Sequence, residues 1–185
     1  MLSAYTDLKA NDFSLLMCTL WSIWEFRIKK LFRNANPDAA KEGSYQLYTD
    51  AAIHDRNSKI GLGAVVKDWN GQVVAGVSVP LSAKITPAMD EAMALRLGLN
   101  WCCNVRIPLS TIFTDCKQLV SKVYSRKREL SALADVISDI QSSLSHFPNA
   151  AVCHTPRDNN IHAHHMAKGA LGLDEELVWK DNYPN

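Results

Sequence analysis

The chain has 185 residues, of which 47% are hydrophobic, and a formal net charge of +1. This size and composition suit one globular domain with an appendage. The near-neutral charge excludes nucleic-acid binding through overall basicity, so such a surface must come from local clusters of charge. The five cysteines form no CxxC pair, which disfavours a disulfide framework or zinc knuckle. This cysteine usage predicts a reducing intracellular compartment, either nucleus or cytoplasm.

Residues 1–43 are predicted to form a helical extension and a linker. Apolar residues recur there at helical spacing, namely Phe13, Leu16, Leu20, Trp24, Ile28 and Leu31. The apolar run over residues 13–24 has no basic stretch before it and is shorter than the ~20 residues that span a bilayer. We therefore expect a soluble protein without signal peptide or membrane anchor. The helix packs on the flank of the main domain, is the remnant of a larger polyprotein, or binds a partner chain.

Strand patterns begin at residue 44. Residues 45–50, 61–67 and 73–79 are predicted strands, and the sequence Asp68-Trp69-Asn70-Gly71 predicts a hairpin turn between the last two. Helices and strands then alternate: helix 87–103, a strand ending at 115, helices 116–124 and 130–145, strand 150–154 and helix 160–171. This order predicts an α/β domain over residues 44–172, with a mixed five-stranded sheet flanked by helices, and a C-terminal tail over residues 173–185.

Three acidic residues lie at the ends of these elements, where α/β sheets usually bind ligands. Asp50 ends the first strand, Glu91 lies in the first turn of a helix, and Asp115 ends the fourth strand. Converging carboxylates hold Mg²⁺ through oxygen, and two such ions roughly 4 Å apart serve phosphodiester hydrolysis. Each residue also has a structural explanation, as a turn residue, a helix N-terminal residue or a helix cap. Only together do they predict a metal site.

The same segments, taken in order, resemble successive blocks of type 1 ribonuclease H. The blocks are YTDAA at 48–52, GLGAVVKD at 61–68, DEAMALRLGL at 90–99, TDCKQLV at 114–120 and HTPRDNNIHAH at 154–164. They are most similar to the plant-type ribonuclease H-like domain found at the end of non-LTR retroelement reverse transcriptases. The resemblance implies a ribonuclease H-like fold and, for the N-terminal helix, favours a larger polyprotein context.

The resemblance also implies a metal site with one departure from the family pattern. Asp50, Glu91 and Asp115 match three of the four metal-binding carboxylates, whereas His164 takes the place of the fourth, an aspartate. Imidazole suits later metals better than Mg²⁺. We therefore expect two Mg²⁺ ions with weakened Mg²⁺-dependent activity, partly restored by Mn²⁺.

Two further interpretations concern histidines. His154 matches a mobile histidine of some family members that assists proton movement or product release, and the alternative is a strand-end histidine bonded to the backbone. His162, His164 and His165 invite a zinc interpretation, but neighbours one or two positions apart on a helix do not share a face.

Several residues are implied to bind nucleic acid. The resemblance places Ala51 and Ala52 against the minor groove and Arg157 on a phosphate, while Asn160 contacts RNA or orients the site. A basic cluster between two predicted helices is a candidate for gripping DNA-strand phosphates, with a solvated loop as the alternative: Lys122, Arg126, Lys127 and Arg128.

The resulting prediction is a monomeric endoribonuclease that hydrolyses the RNA strand of RNA–DNA hybrids by a two-metal-ion mechanism. The main alternative is a catalytically weakened ribonuclease H-like module that binds nucleic acid or protein. A third interpretation is a decayed retroelement fragment without a cellular role.

Overall fold

The computed structural model describes residues 44–54, 58–83, 85–125 and 131–180. The predicted N-terminal helix and the basic residues Arg126, Lys127 and Arg128 lie outside these ranges. None of the helices within them is long and apolar enough to cross a membrane.

The described residues form a six-stranded mixed sheet with helices on both faces. The strands are β1 (Tyr45–His54), β2 (Lys59–Lys67), β3 (Val73–Ser82), β4 (Leu109–Thr114), β5 (Ala151–His154) and β6 (Leu177–Lys180). The helices are α1 (Pro87–Val105), α2 (Lys117–Val123), α3 (Ala132–Leu144) and α4 (Ile161–Ala170), and a short 3₁₀ turn, Arg157–Asn159, precedes α4. The predicted α/β architecture is confirmed, with most boundaries shifted by one to three residues.

The order of strands across the sheet is β5-β4-β1-β2-β3-β6. β1, β2 and β3 are antiparallel neighbours, whereas β4 runs parallel to both β1 and β5. The hairpin turn between β2 and β3 forms as predicted, because the Asp68 carboxylate accepts the N–H groups of Asn70 and Gln72 at 2.9 and 2.8 Å. The parallel pairing of β1 with β4 ends at Thr49 and Thr114, so the carboxyl end of β4 lies beside the middle of β1.

Alternation along β1 separates the two helical layers. Leu47 and Thr49 point to one face, where Gly98 of α1 packs directly against them. Asp50 points to the other face, which α4 covers. The core on the α1 side is closed by α3 and includes Leu95, Leu99 and Ile112, which are fully buried.

The sheet has one strand more than the sequence predicted. β6 lies within the segment predicted as a tail and pairs antiparallel with β3. Trp179 of β6 covers Gly76, and its Nε1 donates to Met166 Sδ of α4 at 3.1 Å. A four-residue strand shows too little alternation to be recognised from its own sequence. The residues that hold β6 in place, in β3 and α4, lie far from it in the chain.

Candidate active site

Asp50 and Asp115 meet because their strands are parallel neighbours. Thr49 pairs with Thr114, so Asp50 stands beside the point where the chain leaves β4 at Asp115. The turn after β4 is fixed by the Thr114 hydroxyl, which accepts the Cys116 N–H at 3.2 Å. Asp50 is almost completely buried, with 2% of its surface exposed, and Asp115 is half-buried.

Glu91 completes a cluster of three carboxylates. It is the fifth residue of α1, whose start is set by Pro87, and it projects toward the ends of β1 and β4. One carboxylate oxygen from each of Asp50, Glu91 and Asp115 lies within 4.8 Å of the others. Within the described ranges this is the one group of three or more histidine, cysteine or acidic side chains with such spacing, so His162, His164 and His165 form no comparable cluster.

The cluster is electrostatically unfavourable without a cation. Burial, together with the charges of Asp50, Asp115 and Asp90, raises the pKa of Glu91 to about 9, and burial is the largest cause. Glu91 Oε2 is buried and has no hydrogen-bond partner among the described residues. Such a set of oxygen donors, with one orphaned carboxylate oxygen, fits a hard divalent cation.

His164 extends from α4 to the most buried carboxylate of the cluster. Its Nδ1 lies 2.7 Å from Asp50 Oδ2 and 3.4 Å from Nη2 of Arg157. Since an ionised carboxylate only accepts, the short contact is that of an Nδ1–H donating to Asp50 Oδ2, and this nitrogen then does not accept from the Arg157 guanidinium. Burial raises the pKa of Asp50, and the charge of Asp115 adds to this, whereas the hydrogen bond from His164 opposes it.

Asn160 joins α4 to β1 just before Asp50. Its side-chain amide donates to the Thr49 carbonyl at 3.0 Å, and the residue is 1% exposed. Of the two roles inferred from the sequence, this burial favours orienting the site over contacting RNA. Within the part of the chain that the structure describes, the buried amide oxygen of Asn160 has no hydrogen-bond partner.

A groove of about 530 Å³ opens over the carboxylates. Ala51, Ala52 and Arg157 line it, as do His164 and Lys168. Lys168 was not predicted as a site residue, although it follows His164 by four positions and therefore shares its helical face. It adds a second cation beside Arg157.

Two further predicted site residues, His154 and Lys122, lie outside the groove. His154 is exposed at the end of β5 opposite Thr114 and does not line the groove. Lys122 is half-buried in the last turn of α2. Their suggested roles remain predictions, as do those of the basic residues beyond the described ranges.

Comparison with known proteins identifies the class first. The fold is that of ribonuclease H. One match is the N-terminal RNase H domain of a Mycobacterium tuberculosis protein, which was solved as a fusion with maltose-binding protein. Its TM-score is 0.61 at 21% identity, and the match covers 70% of this chain and 94% of that chain. RNase H1 from the halophilic archaeon Halobacterium salinarum matches with a TM-score of 0.61 at 20% identity over 70% and 98% of the two chains. A foamy viral protease–reverse transcriptase, solved in complex with an RNA/DNA hybrid, matches at 17% identity and a TM-score of 0.56, over 70% of this chain but 20% of that one.

The family follows from sequence. Residues 48–170 match the model of the reverse transcriptase-like family, and the chain belongs to this family. The resemblance to an RNase H-like domain of retroelement type is thereby confirmed. A search of curated proteins finds no significant match.

Proposed function

We propose that the protein is a metal-dependent endoribonuclease that hydrolyses the RNA strand of RNA–DNA hybrids. The observation that carries the proposal is the convergence of Asp50, Glu91 and Asp115 on one small volume at the floor of an open groove. These three residues would hold two Mg²⁺ ions, or Mn²⁺ in their place. When bound, such ions activate water and stabilise the charge that develops on the phosphate and the leaving oxygen.

The residues around the cluster suit a strand of nucleic acid. Ala51 and Ala52 line the groove with small side chains, which permit the close approach of a sugar–phosphate backbone. Arg157 and Lys168 place cations along the same groove, where they would contact phosphates. LC11-RNase H1, which shares the fold at 19% identity and a TM-score of 0.61, was solved in complex with an RNA/DNA hybrid.

The carboxylates also explain why the groove would be inert without cations. At neutral pH the raised pKa of Glu91 keeps its carboxyl protonated in the metal-free protein. Cation binding would displace this proton, so the affinity for metal should rise with pH.

The proposal is tested by incubating a labelled RNA–DNA hybrid with the protein in Mg²⁺ and, separately, in Mn²⁺. An Asp50→Asn variant is the matched control, since it keeps the size of the side chain and removes the charge. We expect cleavage by the parent and loss of at least about 100-fold in the variant, the scale on which disturbance of a metal site acts. Equal cleavage by both proteins would contradict the proposal.

A second candidate is a module that binds hybrid or protein without turnover. It is favoured by the 2.7 Å contact between His164 Nδ1 and Asp50 Oδ2, which occupies an oxygen that a cation would need. Folded protein that binds hybrid but cleaves it in neither metal would support this candidate. The similarity to a domain of a foamy virus protease–reverse transcriptase further supports a retroelement origin and a larger polyprotein context.

A further inference from the structure

A second pocket, of about 470 Å³, adjoins the groove. The 3₁₀ turn Arg157–Asn159 separates the two, because Arg157 lines the groove while Asp158 and Asn159 line the pocket. Tyr48 of β1 and Phe113 of β4 line this pocket from the sheet, next to the first residues of α4. Its position next to the groove makes it accessible to a ligand that already occupies the groove.

The pocket contains a cation without an acidic partner. Lys67 Nζ lies 4.2 Å from the centroid of the Tyr48 ring, which is stacked on Phe113 at a centroid distance of 4.8 Å. Within the described part of the chain Lys67 forms no ion pair, not even with Asp158 of the same pocket, whereas Lys59 at the other end of β2 bonds to Leu173 O at 2.7 Å. A half-buried ammonium that has only a π face as counterpart retains an electrostatic preference for an anion.

The first turn of α4 adds donors to the same pocket. Its N-cap residue, Asn160, forms no side-chain cap, because its amide is directed to the Thr49 carbonyl. The backbone N–H groups of the first turn are therefore not capped by this side chain, and the positive end of the helix dipole lies there. Ile161 and His162, the first two residues of α4, line the pocket. Lysine and helix terminus thus face the same open pocket.

We propose that this pocket binds a phosphate of the nucleic-acid strand that leaves the groove across the 3₁₀ turn, an inference that rests on the proposed function. Tyr48 precedes Asp50 by two residues on the same face of β1, which places the pocket roughly 7 Å from the carboxylates along the strand. That separation lies within the footprint of a bound duplex. Lys67 is the residue that contacts the phosphate, and the amides of α4 orient it.

The test is the salt dependence of hybrid binding. Fluorescence anisotropy is measured in the Asp50→Asn background, which prevents turnover, for the parent, Lys67→Met and Lys59→Met. Methionine keeps most of the aliphatic length of lysine and removes its charge. We expect Lys67→Met to weaken binding and to reduce the magnitude of the log K against log [salt] slope by about 1, while Lys59→Met changes neither. A slope for Lys67→Met equal to that of the parent would overturn the proposal, and thermal unfolding checks that each variant is folded.

A titration with inorganic phosphate separates this inference from the proposed function. NMR shifts of the Ile161 and His162 amides in the parent, absent in Lys67→Met, would support an anion site even in a protein that fails to bind hybrid. In that case the proposed function fails and the anion site stands. If Lys67→Met binds hybrid with the same salt dependence as the parent, the proposed function stands. The assignment of this pocket to the nucleic-acid strand is then refuted, whether or not inorganic phosphate shifts the amide signals.

Discussion

At position 164 an imidazole stands against the most buried carboxylate of the cluster. An aspartate there would add a fourth anionic oxygen ligand, whereas histidine donates a hydrogen bond to Asp50 and supplies nitrogen as its only ligand atom. The chemistry of the site therefore depends on how readily a cation displaces this contact. Manganese tolerates nitrogen ligation better than magnesium, which demands oxygen and octahedral geometry.

We predict that the parent cleaves hybrid faster in Mn²⁺ than in Mg²⁺ and that His164→Asp raises the Mg²⁺-dependent rate on the order of tenfold. His165→Asp is the matched control, because this neighbouring histidine is exposed and the substitution adds the same charge. Initial rates in the two metals measure the effect. Equal rates in both metals, together with an unchanged His164→Asp variant, would show that residue 164 has no influence on the metal site.

The pKa of Glu91 leads to a prediction about stability in the absence of metal. Its folded-state pKa is raised from 4.5 to about 9, so the folded state binds more protons than the unfolded state between these values. The contribution of Glu91 to stability is therefore most favourable below about pH 4.5 and is lost as the pH rises toward 9. Glu91→Gln removes this dependence.

Thermal unfolding in chelator between pH 5 and about 9 measures it, and the difference between parent and variant isolates Glu91 from other titrating groups. The stability of the parent should fall relative to Glu91→Gln as the pH rises. Parallel curves would mean that Glu91 is neither buried nor held near the other carboxylates in solution.

Among the elements, α4 has the closest contact with the sheet. A Cβ at Gly63 of β2 would lie 2.4 Å from the Ala167 backbone nitrogen and 2.6 Å from the Ala163 carbonyl oxygen. Because Gly63 pairs with Asp50, this contact sets the height of α4, and with it His164, above the carboxylate cluster. The Ser78 hydroxyl, which donates to the Met166 carbonyl at 2.9 Å, holds the same helix to β3.

We predict that Gly63→Ala lowers the free energy of unfolding by about 1–3 kcal/mol, the usual cost of overpacking. Gly169→Ala is the control, since a Cβ there meets nothing within 4 Å and alanine favours a helix by up to about 1 kcal/mol. Denaturant unfolding compares the two. An equal effect of both substitutions would show that α4 is not seated directly on β2.

Across the whole molecule, local patterns predicted most elements and the three clustered carboxylates. Asp50, Glu91 and Asp115 could be recognised because each lies in or directly after an element with a strong pattern of its own, although β1 continues to His54, past the residue predicted as its end. The interactions that the sequence did not reveal all depend on distant partners: β6 on β3, Asn160 on the Thr49 carbonyl, and Lys67 on the Tyr48 ring. Short patterns carry no information about which remote atoms will face them.

The domain boundaries at residues 43 and 172 remain predictions, as does the role of the N-terminal segment. β6 shows that residues beyond 172 contribute to the sheet, so the folded unit extends at least to residue 180. The proposed hydrolysis depends on the residues of the groove. It would therefore be the same in a protein that acts alone and in one that is part of a larger polyprotein.

The chemistry is tested most directly by the products. A hybrid labelled separately on its RNA and DNA strands is incubated with the protein in Mn²⁺, and the ends of the fragments are determined. Attack by a metal-activated water predicts that the RNA strand alone is cut, leaving 3′-hydroxyl and 5′-phosphate ends. Cleavage of the DNA strand, or RNA fragments that end in a 2′,3′-cyclic phosphate, would contradict the account, because the cyclic product requires attack by the RNA's own 2′-hydroxyl.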